Sequence, residues 1–542
     1  MPPRVSALAP LREKTFRRVW AANQISSFGG LVQGVGAAWM MTSLTTSASL
    51  IALVQASMTL PIMLFSISAG ALADSYDRRA LMLVAQVFML AASIALTVTA
   101  FAGWMTPWSL LSCTFLIGMG TALNNPAFQA GLGDFVPREH LPEAVSLNSI
   151  GFNLMRSVGP AIGGIIVATA GAVTAFAINA LSYLPLIAVL ILWRPNRRQD
   201  PIPRESFGPA VSAGIRYVSM SPNLLTVMAR GMIFGFGAIC LLALLPLIAR
   251  DLLQGGAVTY GVTLGLFGLG AVAGGLMNAR IRQKIRGETI VRLAFVGFAV
   301  AVLTLSFSRS LWFSLPALSV GGACWVLALS LFNVTVQLSS PRWVVGRMLS
   351  FYQMATFGGM ALGSWSWGAA AGAIGLPAAM QMAGLCLLIG TFMGLRYRMP
   401  EFGTVDLDPL DKFKEPSLRL DLRGRSGPIM VMIDYVIDPA DIPAFLSTMA
   451  DRRRIRRRDG ARQWVLLRDL EHADRWTESY HVSTWDDYLR HNMRRTKADA
   501  EVSARILRLH RGAAPPQVHR MIERHSAFPH YDMPLKATNE QI

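Results

Sequence analysis

Two arginines in apolar surroundings are the residues of this 542-residue chain best suited to bind an anion. Arg156 and Arg230 stand inside long stretches without other charges, and no Asp, Glu or His falls near the middle of such a stretch. A charge inside a membrane span is costly and is therefore a functional candidate by default. We expect both guanidinium groups to face a central cavity and to attract a carboxylate or catecholate. The alternative is that each caps helix carbonyls or reaches water.

Uncharged polar residues in similar stretches form a second candidate set. They could bind a ligand or bond to neighbouring helices, and for any single residue the second interpretation is the simpler one. The candidates are Asn23, Gln33, Asn124 and Asn125, with Gln24, Gln55 and Gln129 as further members.

The sequence indicates no catalytic residue, metal site or cofactor. The four cysteines lie in apolar stretches at unpatterned spacings, which predicts small core residues rather than disulfides or metal ligands. No G-x-x-x-x-G-K-[ST] loop occurs, so ATP-driven chemistry has no support.

The composition divides the chain into two regions. Charged residues make up 15% of the chain, whereas about a quarter is usual for a soluble protein. Residues 1–395 contain 10 acidic and 24 basic side chains, and residues 396–542 contain 22 and 26. The first region is predicted to lie in a bilayer and the second in water. We attribute the net charge of +18 to basic residues beside membrane spans and not to nucleic-acid binding.

The apolar region is long enough for twelve membrane spans, since each needs about 20 residues. Residues 19–73 are uncharged, with Thr45-Thr46-Ser47 as a polar break, and turns are predicted near Gly103–Pro107, Gly171 and 375–377. We predict an all-α membrane protein of 12 transmembrane helices plus a small α+β domain. The predicted units are a six-helix bundle (1–193), an inter-bundle loop (194–217), a second six-helix bundle (218–398), a linker (399–426) and a soluble domain (427–542).

Basic residues are concentrated in alternate loops. With the N-terminus inside, the tail and the even-to-odd loops carry about 20 Lys and Arg, and the opposite loops hold only Arg250 and Arg309. Both termini are therefore predicted to be cytoplasmic.

The two bundles are related by a sequence repeat. A shift of 204 residues aligns Gly70 with Gly274, Arg78 with Arg282, Pro137-Arg138 with Pro341-Arg342, and Gly171 with Gly375. An even number of spans per repeat gives both halves the same orientation. Such parallel repeats are typical of transporters that rock two halves around a central site.

The loop between the second and third predicted spans, Gly70-Ala-Leu-Ala-Asp74-Ser-Tyr-Asp-Arg78, resembles the G-x-L-x-D-x-x-x-R motif of the major facilitator superfamily. The resemblance implies a major facilitator fold in which Gly70, Asp74, Arg78 and Asp134 form a gate. Asp74 would lie at the N-terminal end of span eleven, where a helix dipole favours an anion, and Arg78 would pair with Asp134. The alternative is a tight loop whose charges only set topology. Asn278 replaces Asp74 in the second copy, so we expect an asymmetric gate.

The fifth predicted span contains Gly159, Pro160, Gly163 and Gly164 in the order G-P-x-x-G-G, which resembles a motif of exporters in the same superfamily. Ordinary packing of small residues is the alternative. The surrounding run from Asn153 to Gly164, with Val136-Pro-Arg-Glu139 before it, resembles the branch that contains the enterobactin exporter.

That resemblance implies a bacterial inner-membrane exporter that exchanges a siderophore-like anion for protons by alternating access. No carboxylate near mid-membrane is available as a proton carrier, so proton coupling is an expectation from the family alone. The alternatives are a multidrug or macrolide efflux pump, a membrane-anchored enzyme acting through the tail, and a receptor that signals through it.

The tail shows a β-α-β-β-α order, with strands at 429–437, 464–470 and 476–482, a helix at 439–458, and a long helix capped by Thr484. This order predicts a ferredoxin-like domain. It resembles the dimeric α+β barrels, which implies possible dimerisation. The arginine run 452–458 could bind acidic lipid headgroups or form a solvated helix face. We assign no chemistry to His472, His481 and His491.

Overall fold

The structure is a computed structural model that describes residues 8–137, 140–193, 207–341, 343–400, 406–410 and 413–523. Within that part, a mostly helical region is followed by a small α+β domain. The helices of the first region are α1 Lys14–Leu44, α2 Ala48–Ser75, α3 Arg78–Phe101, α4 Pro107–Phe135, α5 Leu141–Leu192, α6 Phe207–Ser219, α7 Pro222–Leu247, α8 Ala257–Lys284, α9 Gly287–Phe307, α10 Leu311–Leu338, α11 Val345–Ile374 and α12 Leu376–Arg396.

Eight segments in the described region are long and apolar enough to cross a membrane. They lie in α2, α3, α5, α7, α8, α9, α10 and α12. The predicted count of twelve is therefore not established by length and hydropathy.

The helices end at the turns that the sequence analysis predicted from polar residues and glycines. Ser47 caps α2 by accepting a hydrogen bond from the backbone N–H of Leu50. Thr106 and Ser109 form a capping box at the start of α4, where Pro107 occupies the first turn. Gly171 interrupts α5 with a φ of 83°, and Gly375 separates α11 from α12 with a φ of 88°. Both conformations strongly favour glycine.

The 204-residue repeat is visible in the helices themselves. α4 begins at Pro107 and α10 at Leu311; α5 begins at Leu141 and α11 at Val345. Gly171 and Gly375, which stand at equivalent positions, share both the positive φ and an extended ψ of 167° and 155°. The two halves of the helical region therefore share one backbone plan.

Short loops between long helices give the region two ends. We call the end that carries residues 76–79 the Arg78 end, and the end that carries residues 45–47 the opposite end. At the opposite end, large aromatic side chains project outward, and the most exposed are Phe101 (84%), Trp312 (80%), Phe313 (75%) and Trp104 (75%). Exposed aromatic residues near helix ends are typical of a membrane interface.

The two halves meet along α2 and α11. A Cβ on Gly70 would lie 2.8 Å from Oγ of Ser350 at the Arg78 end. A Cβ on Gly358 would lie 3.0 Å from Sδ of Met63 near the middle. Gly368 packs on Ala52 at the opposite end. Small residues at these points allow the helices to approach closely.

Equivalent residues of the two halves make different contacts. Gly70 meets α11 of the other half, whereas its counterpart Gly274 packs on Ala323 of α10, within its own half. Asn278, which replaces Asp74 in the second copy, donates to Oγ of Ser330 at 2.8 Å, again within the second half. The Arg78 end is therefore asymmetric.

The C-terminal domain is a four-stranded antiparallel sheet with helices on one face. Its elements are β1 Ile429–Val436, α13 Ile442–Arg458, β2 Arg462–Arg468, β3 Arg475–Val482, α14 Trp485–Met493, α15 Lys497–Leu509 and β4 Gln517–Ile522. The strand order β2-β3-β1-β4 is that expected of a ferredoxin-like domain.

Two features of this domain differ from the sequence prediction. The long helix capped by Thr484 is two helices, because Thr496 starts α15 with its own capping box to Asp499. A fourth strand, β4, pairs with β1 and was not predicted; it is short and largely exposed, so it lacks a clear alternation of buried residues.

The arginine run 452–458 is not a uniformly solvated face. Arg452 and Arg456 are buried and donate to Glu478 on β3 at 3.2 and 3.1 Å, whereas Arg453, Arg454 and Arg457 are exposed. Tyr435 and Trp464 also donate to the Glu478 carboxylate, each at 3.0 Å. Only the outward arginines remain available to a lipid surface.

We expect Glu478→Gln to destabilise the C-terminal domain by about 3–5 kcal/mol at pH 7, because the change leaves two buried arginines without a carboxylate. Burial alone would raise the pKa of Glu478, but Arg452 and Arg456 outweigh it and lower the pKa to about 2 from 4.5. The stabilisation is therefore complete above pH 4.5 and is lost as the pH falls towards 2.

Urea unfolding of the full-length protein, followed by hydrogen exchange in peptides from β1 and β3, measures this effect. The difference between wild type and Glu478→Gln should be large at pH 7 and smaller at pH 3. Exposed Glu471 provides the matched control, Glu471→Gln. An equal loss of stability in both variants would contradict the assignment.

Candidate functional site

The loop between α2 and α3 is tied to two other helices at the Arg78 end. Nη1 of Arg78 donates to Oδ2 of Asp134 at 3.0 Å and to the carbonyl of Ala130 at 2.8 Å. Arg79 donates to the carbonyls of Leu190 and Ile191, which satisfies the last turn of α5. The predicted pairing of Arg78 with Asp134 is thus present, and it lies within the first half.

The contact across the two halves at this end is made by Gly70. It lies one turn before Asp74 and touches Ser350, in the second turn of α11. The side chain of Asp74 lies outside the described part of the structure. The Arg78–Asp134 pair therefore holds the loop that follows α2 close to the point where Gly70 meets α11.

The glycines of the G-P-x-x-G-G segment lie at two close helix contacts. Gly159 and Gly163 face α1, where their added Cβ atoms would lie 3.0 Å from Cβ of Leu31 and 3.1 Å from Cα of Val32. Gly164 faces the other half, and a Cβ there would overlap the Cα atom of Gly261 in α8. Pro160 lies between these contacts, half-buried within the helix. The segment therefore brings α5 against both α1 and α8.

The expectation that Arg230 lacks an internal carboxylate is wrong. Arg230 is fully buried and forms an ion pair with Glu288, which lies in the first turn of α9. Glu288 also accepts from Arg292 at 2.7 Å and from the backbone N–H of Met399 at 2.9 Å. Arg230 is thus part of an ion-pair cluster between α7 and α9, in which Nε and Nη2 of Arg230 have no hydrogen-bond partner among the described residues.

Two of the predicted polar candidates bond to neighbouring helices within the first half. Oε1 of Gln33 accepts from Asn179 at 3.2 Å, and Asn179 also donates to Ser93 and Tyr183. Oδ1 of Asn124 accepts from Gln86 at 3.2 Å. The interpretation as ligand-binding groups is therefore the weaker one for Gln33 and Asn124, which are buried among these partners.

Gln86, Ser93 and Asn179 were missed by the sequence analysis. Gln86 and Ser93 lie in α3 and Asn179 lies in α5, and each has apolar residues on both sides in the sequence, which is the signal that could have identified them. Asn23 and Asn125 are half-buried, and their assignment as binding residues stays a prediction.

A different polar residue in α1 is less well satisfied. Gln24 is buried, and neither its Oε1 nor its Nε2 has a hydrogen-bond partner among the described residues. Its amide packs against Gly151, five residues before Arg156 on α5. The side chain of Arg156 lies outside the described part of the structure. Gln24 thus marks a polar position between α1 and α5 that a ligand or water can satisfy.

The helical region has the fold of known membrane transporters. It matches a bacterial homolog of the human lysosomal transporter Spinster with a TM-score of 0.56 and 14% identity, covering 72% of this chain and 98% of that chain. It matches the human organic anion transporter MFSD10 with a TM-score of 0.54 and 14% identity, covering 70% and 99%. At these identities the likeness establishes the fold alone.

The chain belongs to the transmembrane secretion effector family, whose model matches residues 5–527. The match includes the C-terminal domain as well as the helices, so the family predicted from the motifs is confirmed over both regions. The family and the fold neighbours consist of transporters and not of enzymes.

Curated relatives are about a quarter identical to this chain over the aligned residues. The staphyloferrin A transporter of Staphylococcus aureus is 25% identical over 283 residues, which cover 52% of this chain and 70% of the relative. Macrolide efflux protein A of Streptococcus pyogenes is 26% identical over 266 residues, covering 48% and 65%. The enterobactin exporter EntS of Salmonella typhimurium is 26% identical over 307 residues, covering 54% and 70%. This chain therefore spans about two thirds of the length of each relative.

Proposed function

We propose that this protein is a secondary active transporter that exports a small anionic, siderophore-like molecule across the bacterial inner membrane by alternating access. The observation that supports this most directly is the pair of like halves, which meet through small residues at both ends: Gly70 with Ser350, and Gly164 with Gly261. Contacts of this kind can separate at one end while they hold at the other.

In this proposal twelve spans cross the bilayer. Eight segments meet the length and hydropathy criteria, and α1, α4, α11 and the first part of α5 complete the count. These four are richer in polar and small residues, which is expected of helices that face protein or a cavity and not lipid. The bundle and domain boundaries at 193, 217, 398 and 426, and the cytoplasmic position of both termini, belong to the same proposal.

The anionic nature of the cargo rests on Arg156 and on the relatives. With Arg230 occupied by Glu288, Arg156 is the arginine of the predicted pair that is left for a ligand. Two relatives are named as transporters of staphyloferrin A and enterobactin. Proton exchange would then drive export, through Asp74 or Asp134 or through protonation of the cargo.

A macrolide efflux pump is the second candidate, because macrolide efflux protein A matches this chain with 26% identity, as does the enterobactin exporter. An uncharged or cationic drug would have no need of Arg156, so the two candidates differ in their dependence on that residue.

Chemical profiling of the growth medium tests the proposal. A strain from which the gene has been deleted should fail to accumulate one anionic compound in its medium, and a plasmid copy should restore it. Arg156→Gln, expressed at the same level, should restore at most about a tenth of the wild-type rate, as expected when one charge-assisted contact of about 1.5–3 kcal/mol is lost. Full restoration by Arg156→Gln, together with macrolide sensitivity of the deletion strain, would favour the second candidate.

Dimerisation through the C-terminal domain remains part of the proposal. The face of the sheet opposite the helices exposes Val465, Leu467 and Met521, each 44–50% accessible. Apolar side chains on an uncovered sheet face are suited to a second copy of the same face.

A further inference from the structure

A cavity of about 650 Å³ lies in the C-terminal domain, outside the pathway proposed above. Alternate residues of β1, Val431, Ile433 and Tyr435, form its floor, and α13 and α15 form its walls. Cavities of about 300–1,000 Å³ are typical of small-molecule sites. The volume is therefore large enough for a small molecule.

The cavity carries an excess of positive charge. Arg452, Arg456, Arg495, Arg520 and Lys414 line it, and none of the described lining residues is acidic. The carboxylate of Glu478 lies behind the wall, where it neutralises only one of the charges of Arg452 and Arg456. Arg452 and Arg456 are buried and Arg495 is half-buried, and an anion that enters between such cations favours their charged forms.

Two of these arginines converge on one neutral oxygen. Nη1 of Arg452 and Nη2 of Arg495 each donate to Oγ of Ser503 at 2.8 Å. Burial, together with Arg456 and Arg452, lowers the pKa of Arg495 to about 10. The guanidinium groups are thus held close together around a hydroxyl that cannot balance their charge.

The remaining walls are apolar. Phe413 of the linker, Tyr488 and Met493 of α14, and Ile506 and Leu507 of α15 are among the residues of these walls, and Asn492 is a polar exception. A phosphate or another small inorganic anion would leave this surface uncovered. The lining fits a molecule that has one anionic group and a hydrophobic body.

We propose that this cavity binds an organic carboxylate, with the carboxylate between Arg452 and Arg495 and the hydrophobic body against β1 and α15. The domain that contains the cavity also contacts the helical region. α13 ends at Arg458, whose guanidinium lies 5.6 Å from the ring centre of Tyr217 on α6, and Arg494 lies 4.1 Å from that of Trp343 before α11. α13 therefore lines the cavity through Arg452 and Arg456 and contacts the helical region through Arg458.

Binding of 2-naphthoate to the full-length protein in lipid nanodiscs tests the proposal, with empty nanodiscs as the blank. Calorimetry should give saturable binding in the micromolar range. Arg495→Gln should weaken it by about tenfold or more, because a charge-assisted contact is lost. Arg457→Gln, which removes an exposed charge from α13, should leave it unchanged. The neutral isostere 2-naphthalenemethanol should bind at least about tenfold more weakly than the acid.

Leu507→Trp, which places an indole in the cavity wall, gives a second variant that retains every arginine. It should abolish binding while hydrogen exchange in β1 and β3 remains as in wild type. The proposal is overturned if the acid and the alcohol bind equally, if Arg495→Gln and Leu507→Trp bind like wild type, or if no binding is detected at millimolar 2-naphthoate. These binding and hydrogen-exchange measurements do not depend on transport, so failure of this proposal can be distinguished from failure of the proposed export function.

Discussion

Arg78→Gln should reduce export to about a tenth of the wild-type rate or less without loss of the protein from the membrane. Arg78 joins the α2–α3 loop to Asp134 and Ala130 of α4. Asp134 is 43% exposed, so the pair contributes little to overall stability. Its effect is expected on the balance between open and closed states, where coupling energies of about 1–3 kcal/mol correspond to about 5- to 150-fold.

Asp134→Asn should have the same effect, and the exchanged pair Arg78→Asp with Asp134→Arg should recover part of the rate. Lys284→Gln, a basic residue of the corresponding loop in the second half, is the matched control because it is exposed. Export is measured as appearance of the deletion-sensitive compound in the medium at equal protein levels. If Arg78→Gln and Asp134→Asn export at the wild-type rate, these charges only set the membrane topology and do not form a gate.

Gly164→Val should reduce export more than Arg78→Gln does and should stop it. A Cβ on Gly164 overlaps the backbone of Gly261, and a backbone contact cannot yield as a flexible side chain can. The substitution should hold α5 and α8 apart at the opposite end and so prevent that end from closing. Because the overlap exists only when the two halves meet there, we expect the protein to fold and to insert.

Gly30→Val on α1 is the control, since a Cβ on Gly30 has nothing within 4 Å. Gly261→Val should reproduce the loss of export from the other side of the contact. Equal export by Gly164→Val and Gly30→Val would show that the two helices do not need to meet at this point.

Most helix boundaries could be predicted because local residue types decide them. A positive φ at Gly171 and Gly375, and capping at Ser47 and Thr106, depend on neighbours within a few residues. The pairing of Arg78 with Asp134 joins residues far apart in the chain, and it could be anticipated only through resemblance to a family.

The errors arose where a distant partner decides the role of a residue. Arg230 looked like an isolated charge because Glu288 lies 58 residues away at the start of another helix. Nothing in the sequence indicated that Arg452 and Arg456 are buried, because the carboxylate that pairs with them, Glu478, comes from β3. The local sequence identifies which charged residues are unusual, but the fold determines which partners pair with them.

The central claim, that two like halves open alternately at the two ends, is tested most directly by distances between spin labels. With the four natural cysteines replaced, one pair of labels at Ala80 and Lys284 reports on the Arg78 end, and a second pair at Phe101 and Phe307 reports on the opposite end. All four positions are exposed. In Gly164→Val, the account predicts a longer distance between residues 101 and 307 and an unchanged or shorter distance between residues 80 and 284. Lengthening of both distances together, or of neither, would contradict it.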